Sequence, residues 1–151
     1  MYSGDEKLEN GELKSWLDFQ PGEWLYKTIF AVKQDVKLLG ANIVPRGTAF
    51  LNEVVNKKNY NLDEVDFFLP HISSEYFRKK IEDELIKWDM EIPQEKWFTN
   101  LTKVGNIGSA SVFLMLEELY DSGRLKKGHN ILIMVPESAR FSYAYALLKV
   151  V

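Results

Sequence analysis

The stretch Val65-Asp66-Phe67-Phe68-Leu69-Pro70-His71 decides how the fold is read. Phe67, Phe68 and Leu69 form a short apolar run without alternation, which fits a buried strand, and Pro70, lacking a ladder N–H, ends it. His71 follows at the carboxyl end, and Ser73 or Ser74 can cap a helix that starts there. In that helix Phe77, Ile81, Leu85 and Trp88 recur at steps of four and three, so one side is apolar. A strand that feeds a helix across a histidine is a unit of an α/β sheet. Such sheets place functional groups at the carboxyl ends of their strands.

Working outward towards the C-terminus, Lys96 to Leu101 reads as another short strand. Ile107 to Asp121 is helical, apolar on a wide arc and stopped by Gly123. Ile131 to Val135 and Phe141 to Val151 read as two final strands. In the second of these, Phe141, Tyr143, Tyr145 and Leu147 alternate with Ala144, Ala146 and Leu148. Apolar residues on both faces predict a strand inside a sheet that is covered on both sides.

Towards the N-terminus, Leu25, Ile29, Val32, Val36 and Leu39 lie on one face of a predicted helix that Gly40 closes. Pro45 suits the first turn of a second helix, with Phe50, Leu51, Val54 and Val55 as its buried stripe. Residues 1–21 are polar and read as an irregular arm or loop, which leaves 22–151 as the folded domain. The expected class is α/β, a layered mixed β-sheet flanked by helices.

Composition narrows the chemistry. The chain has 151 residues, a formal net charge of −3 and no cysteine. It carries no disulfide, no cysteine-bearing zinc site and no thiolate of its own. Its charge gives no case for binding nucleic acid. No apolar run approaches the roughly 20 residues of a membrane span, and the N-terminus does not open like a signal peptide, so a cytoplasmic domain is expected. Glu82, Asp83 and Glu84 lie between Lys79, Lys80 and Lys87 and suit a solvated face, so no metal site is expected. His129 lies in a polar turn. Gly105-Asn106-Ile107-Gly108-Ser109-Ala110-Ser111 is a small-residue loop that opens a helix. Close packing of that helix on a sheet explains it, and a phosphate cradle is the weaker reading because neither nucleotide fingerprint is matched.

Phe68-Leu69-Pro70-His71 before a helix, and Gly105-Asn106 with Gly108-Ser109-Ala110-Ser111 opening another, together resemble the C-terminal half of β-ketoacyl-acyl carrier protein synthase III. Gly123-Arg124-Leu125-Lys126-Lys127-Gly128 before the last two strands, and Gly22-Glu23-Trp24-Leu25-Tyr26-Lys27, extend the likeness over about Pro21 to Val151. The resemblance implies a thiolase-like fold of two related halves, each with a five-stranded sheet. It implies a decarboxylative Claisen condensation, in which an acyl group passes from coenzyme A to a cysteine and is attacked by decarboxylated malonyl-acyl carrier protein.

In that family the cysteine belongs to the N-terminal half, and the roles of its histidine and asparagine carry over to His71 and Asn106. Lys27 and Arg78 are implied as contacts to coenzyme A or the carrier protein, with Arg78 matching by neighbourhood rather than by position. Acyl-coenzyme A and malonyl-acyl carrier protein are the implied substrates, and no cofactor is implied. The implied partners are the carrier protein, the N-terminal half and, in a full-length protein, a second copy. One departure is Val135-Pro136-Glu137-Ser138-Ala139-Arg140-Phe141, which stands where the family has a glycine-rich loop that supplies a backbone oxyanion donor. The altered loop keeps a rival open: a non-catalytic partner that shapes the acyl pocket or binds carrier protein.

Overall fold

A computed structural model describes all residues, Met1 to Val151. They form two compact units, Met1–Leu39 and Gly40–Val151.

The first unit corrects the expectation of an irregular arm. It contains an antiparallel hairpin of β1 (Asp5–Lys7) and β2 (Leu13–Ser15), followed by the short helix α1 (Pro21–Tyr26). Tyr2 and Lys33 exchange backbone hydrogen bonds of 2.9 Å, which ties the two ends of the unit together. Trp16, Trp24 and Phe30 pack as three rings with centroids 5.4–5.9 Å apart, and Ile29 in the same unit is fully buried. The continuous helix predicted over Leu25–Leu39 does not form. The chain turns after α1, with Thr28 in a left-handed conformation, and Leu25 is 90% exposed. Asp35 then accepts from the Leu38 N–H at 3.0 Å and starts α2 (Val36–Lys58).

α2 passes through both Gly40 and Pro45, so two predicted helices are one. Its register is set in the second unit by β5 (Ser142–Lys149). The Tyr143 hydroxyl donates to the Ile43 carbonyl at 2.8 Å and the Tyr145 hydroxyl to the Gly47 carbonyl at 2.9 Å. Gly47 lets the helix approach this closely, since a Cβ there would lie 2.8 Å from the Tyr143 ring.

The sheet of this unit has the order β3-β4-β5, where β3 is Phe67–Pro70 and β4 is Asn130–Glu137. β3 and β4 run parallel with Phe68 beside Leu132, and β4 and β5 run antiparallel with Ile133 beside Ala146. α3 (Tyr76–Lys87) and α4 (Leu101–Val104) follow β3, and α5 (Ser111–Asp121) precedes β4. On one face Phe67, Leu69, Ile131 and Ile133 bury against Val112, Met115 and Leu119 of α5. The other face presents Phe68, Leu132, Met134 and Tyr145, and α2 reaches it through Tyr143 and Tyr145. The α/β class holds.

Two strand expectations need correction. Lys96–Leu101 contributes only one bridge, Trp97 beside Phe68, because a 3-10 turn (Gln94–Lys96) and α4 take up the residues on either side. β5 is an edge strand with β4 as its sole neighbour, and Leu147 and Leu148 on its opposite faces are both exposed. Apolar residues on both of its faces therefore do not indicate burial within these residues.

Candidate active site

His71 extends the β3 ladder by one residue. Its backbone N–H donates to the Met134 carbonyl at 2.8 Å, so the ring leaves the sheet from a fixed backbone position. The residue is 6% exposed, and burial lowers its pKa below the ordinary histidine value, which favours neutral imidazole. Nδ1 is enclosed and has no hydrogen-bond partner, whereas Nε2 is not enclosed in this way.

Burial of a neutral histidine has a consequence for stability. The unfolded chain takes up a proton near pH 6.5, and the folded chain does so only at lower pH. Stability therefore falls as the pH drops from about 6.5 to the folded pKa, and this group leaves it unchanged well above pH 6.5. His71→Gln should flatten that part of the profile. The check is the urea midpoint of both proteins between pH 7.5 and pH 5.5. Equal acid-side losses would show that His71 does not titrate differently in the two states.

The two ends of the loop bearing Asn106 line a small cavity together with His71. Pro70, His71, Ile72, Thr99, Asn100, Gly105, Ser111 and Met115 are among its lining residues. Gly105 and Ser111 flank the loop, and Gly105 needs its φ of +76°. Asn106 itself is exposed and does not line the cavity. Its Oδ1 accepts the Gly108 N–H at 3.0 Å, which fixes the amide plane and leaves the NH₂ group as a free donor.

The two cations have partners within the fold. Lys27 Nζ bonds both Glu6 carboxylate oxygens at 3.0 and 3.2 Å, and it belongs to the first unit. Arg78 donates from Nε to Gln94 at 2.8 Å and from Nη1 to Thr99 at 3.2 Å, and its guanidinium lies over the Trp97 ring. It thereby ties α3 to the segment that supplies Thr99 to the cavity wall. Nearby Lys79 pairs with Glu82 and Asp83. No three His, Asp or Glu side chains converge as metal ligands would.

In the divergent loop the Ala139 and Arg140 N–H groups donate to the Glu137 carboxylate at 2.6 and 3.1 Å, so both amides are engaged internally. The sequence reading missed Ser111. It is buried with its Oγ unpartnered, and only its place among small residues at a helix start marked it.

Known proteins resemble this chain in sequence and in fold. A family model described as 3-oxoacyl-[acyl-carrier-protein (ACP)] synthase III C terminal matches residues 55–150. The β-ketoacyl-[acyl-carrier-protein] synthase III of Clostridium perfringens is 36% identical over 97 residues, which is 64% of this chain and 28% of that protein. The solved 3-oxoacyl-(acyl carrier protein) synthase III of Pseudomonas aeruginosa aligns with a TM-score of 0.67 at 19% identity, over 80% of this chain and 36% of its own. The corresponding enzyme of Thermus thermophilus aligns with a TM-score of 0.66 at 18% identity, over 95% and 38%.

The mixed sheet, its flanking helices and these likenesses define a thiolase-like α/β fold. The chain belongs to the 3-oxoacyl-acyl carrier protein synthase III family, matching its C-terminal region. It spans under a third of the length of the curated relatives it matches. No helix is long and apolar enough to cross a membrane.

Proposed function

We propose that this chain supplies the decarboxylation donors of a condensing enzyme that joins an acyl thioester to malonyl-acyl carrier protein. The observation that carries the reading is His71: a buried histidine, favoured neutral, at the end of β3, sharing a cavity wall with both flanks of the Asn106 loop. In the reaction the malonyl C–C bond to the carboxylate breaks, carbon dioxide leaves, and the electron pair passes into a thioester enolate. That enolate attacks the acyl group on a cysteine, forming a C–C bond and releasing the thiolate. Negative charge grows on the malonyl thioester oxygen, and two neutral donors, His71 Nε2–H and the Asn106 NH₂, would stabilise it there.

The nucleophile must come from a companion half, since this sequence has no cysteine. Lys27 and Arg78 are assigned to coenzyme A or carrier-protein contact. A phosphate or acidic side chain would then exchange with Glu6 at Lys27, and would meet Arg78 beside its Gln94 and Thr99 partners.

The 151-residue chain alone should neither retain an acyl group nor release a condensation product. Intact-mass and product measurements after incubation with acyl-coenzyme A and malonyl-acyl carrier protein check this. Condensation by the pure chain would overturn the reading. Activity that returns on adding a cysteine-bearing companion half supports it.

The altered loop favours a second reading, a non-catalytic partner, because Glu137 already takes the Ala139 and Arg140 amides. A companion half without a cysteine at a strand-to-helix turn would decide for that reading.

A further inference from the structure

Two buried polar atoms near the site lack partners, and their residues line one small cavity. His71 Nδ1 and Ser111 Oγ are each shielded from solvent without a hydrogen bond. Both residues are 6% exposed and both line the cavity described above. Its volume is about 10 Å³, room for one water molecule at most. Polar groups so buried are almost always paired, directly or through one ordered water.

Neutral imidazole has one donor and one acceptor nitrogen, and what meets Nδ1 determines which form is present. Ser111 opens α5 directly after the 3-10 turn Gly108–Ala110, and the N-terminal end of this helical run carries a positive potential. That potential favours a lone pair, rather than an N–H, pointing towards Ser111. The hydroxyl can donate where a lone pair faces it.

We infer that Ser111 is a positioning residue for His71: its hydroxyl donates to Nδ1 through one bridging water and holds the ring in the Nε2–H form. Ser111 touches no substrate in this arrangement. It places the proton on the nitrogen that is not enclosed, the one from which a donor to a developing enolate must act. The inference rests on the decarboxylation reading for its functional meaning, and the tautomer itself can be measured without it.

The experiment is long-range ¹H–¹⁵N correlation of the imidazole rings in the ¹⁵N-labelled 151-residue chain, at a pH where His71 is neutral. His71 and His129 are the only histidines. His129 Nδ1 accepts the Lys126 N–H at 3.2 Å and so provides an Nε2–H reference in the same spectrum. Wild-type His71 should match that reference. In Ser111→Ala its Nε2–H share should fall clearly below that of wild type, with a matching rise in the Nδ1–H form. Ser111→Thr, which keeps the hydroxyl, should restore it, while His129 stays unchanged in both variants.

A wild-type His71 in the Nδ1–H form overturns the inference whether or not the variants fold, and so does a Ser111→Ala spectrum identical to wild type. If the tautomer shifts as expected and an assembled enzyme still decarboxylates malonyl thioester at full rate without the His71 ring, positioning by Ser111 stands and the decarboxylation reading falls.

Discussion

In the assembled condensing enzyme, His71→Ala and Asn106→Ala should each slow malonyl decarboxylation by about 10²–10³-fold, the usual effect of losing one oxyanion donor. Acyl loading of the cysteine should continue in both variants, because the proposed donors act on the malonyl thioester oxygen rather than on the acyl group. Decarboxylation followed as carbon dioxide release, and loading followed by intact mass, separate the two steps. Loss of loading with decarboxylation preserved would reverse the assignment.

The two donors should also respond differently to acid. His71 adds a full charge to the site when protonated, and its lowered pKa keeps it neutral near pH 7. Asn106 cannot titrate, and its Oδ1 bond to the Gly108 N–H fixes which end of the amide faces outward. The Asn106→Ala enzyme should therefore keep the pH dependence that His71 imposes, and the His71→Ala enzyme should lose it.

How far the sequence reaches is clear from particular residues. The run Phe67 to Pro70 with His71 after it was legible because its signals are local: an apolar stretch, a proline and a serine cap within a few positions. α2 was not legible, because Gly40 and Pro45 are helix breakers by propensity, and what holds the helix through them lies about a hundred residues away in Tyr143 and Tyr145. β5 was recognised as a strand from its alternation. Its apolar faces were over-read as burial, since an alternating pattern does not state how many neighbours a strand has.

At the site, the position of His71 and the Asn106 loop could be read. The engagement of Arg78 by Gln94 and Thr99 could not, because those partners are distant in sequence. Nor could the placing of two residues with unpartnered buried atoms, His71 and Ser111, on one small cavity, which only the packing of β3 against the start of α5 produces.

The backbone that carries His71 depends on Phe68, and Phe68→Ala should cost about 3–5 kcal/mol of folding stability. Phe68 is fully buried, sits beside Leu132 in the parallel ladder and meets the Trp97 ring edge-on with centroids 4.8 Å apart. Its carbonyl accepts the Phe98 N–H at 2.8 Å, so one residue joins β3 to β4 and to the segment that leads to Thr99 and Asn100 in the cavity wall. Trp97 cannot collapse into the space left by the ring, because its indole N–H is fixed at 2.7 Å to the Ile92 carbonyl. The cavity term is then added in full to the lost transfer energy, which places the cost at the upper end for a core truncation. Phe68→Leu keeps most of the volume and should cost less than half as much. Urea unfolding with an unchanged m-value checks both variants, and a loss under 1 kcal/mol for Phe68→Ala would mean that the Phe68–Trp97 contact does not hold this edge of the sheet.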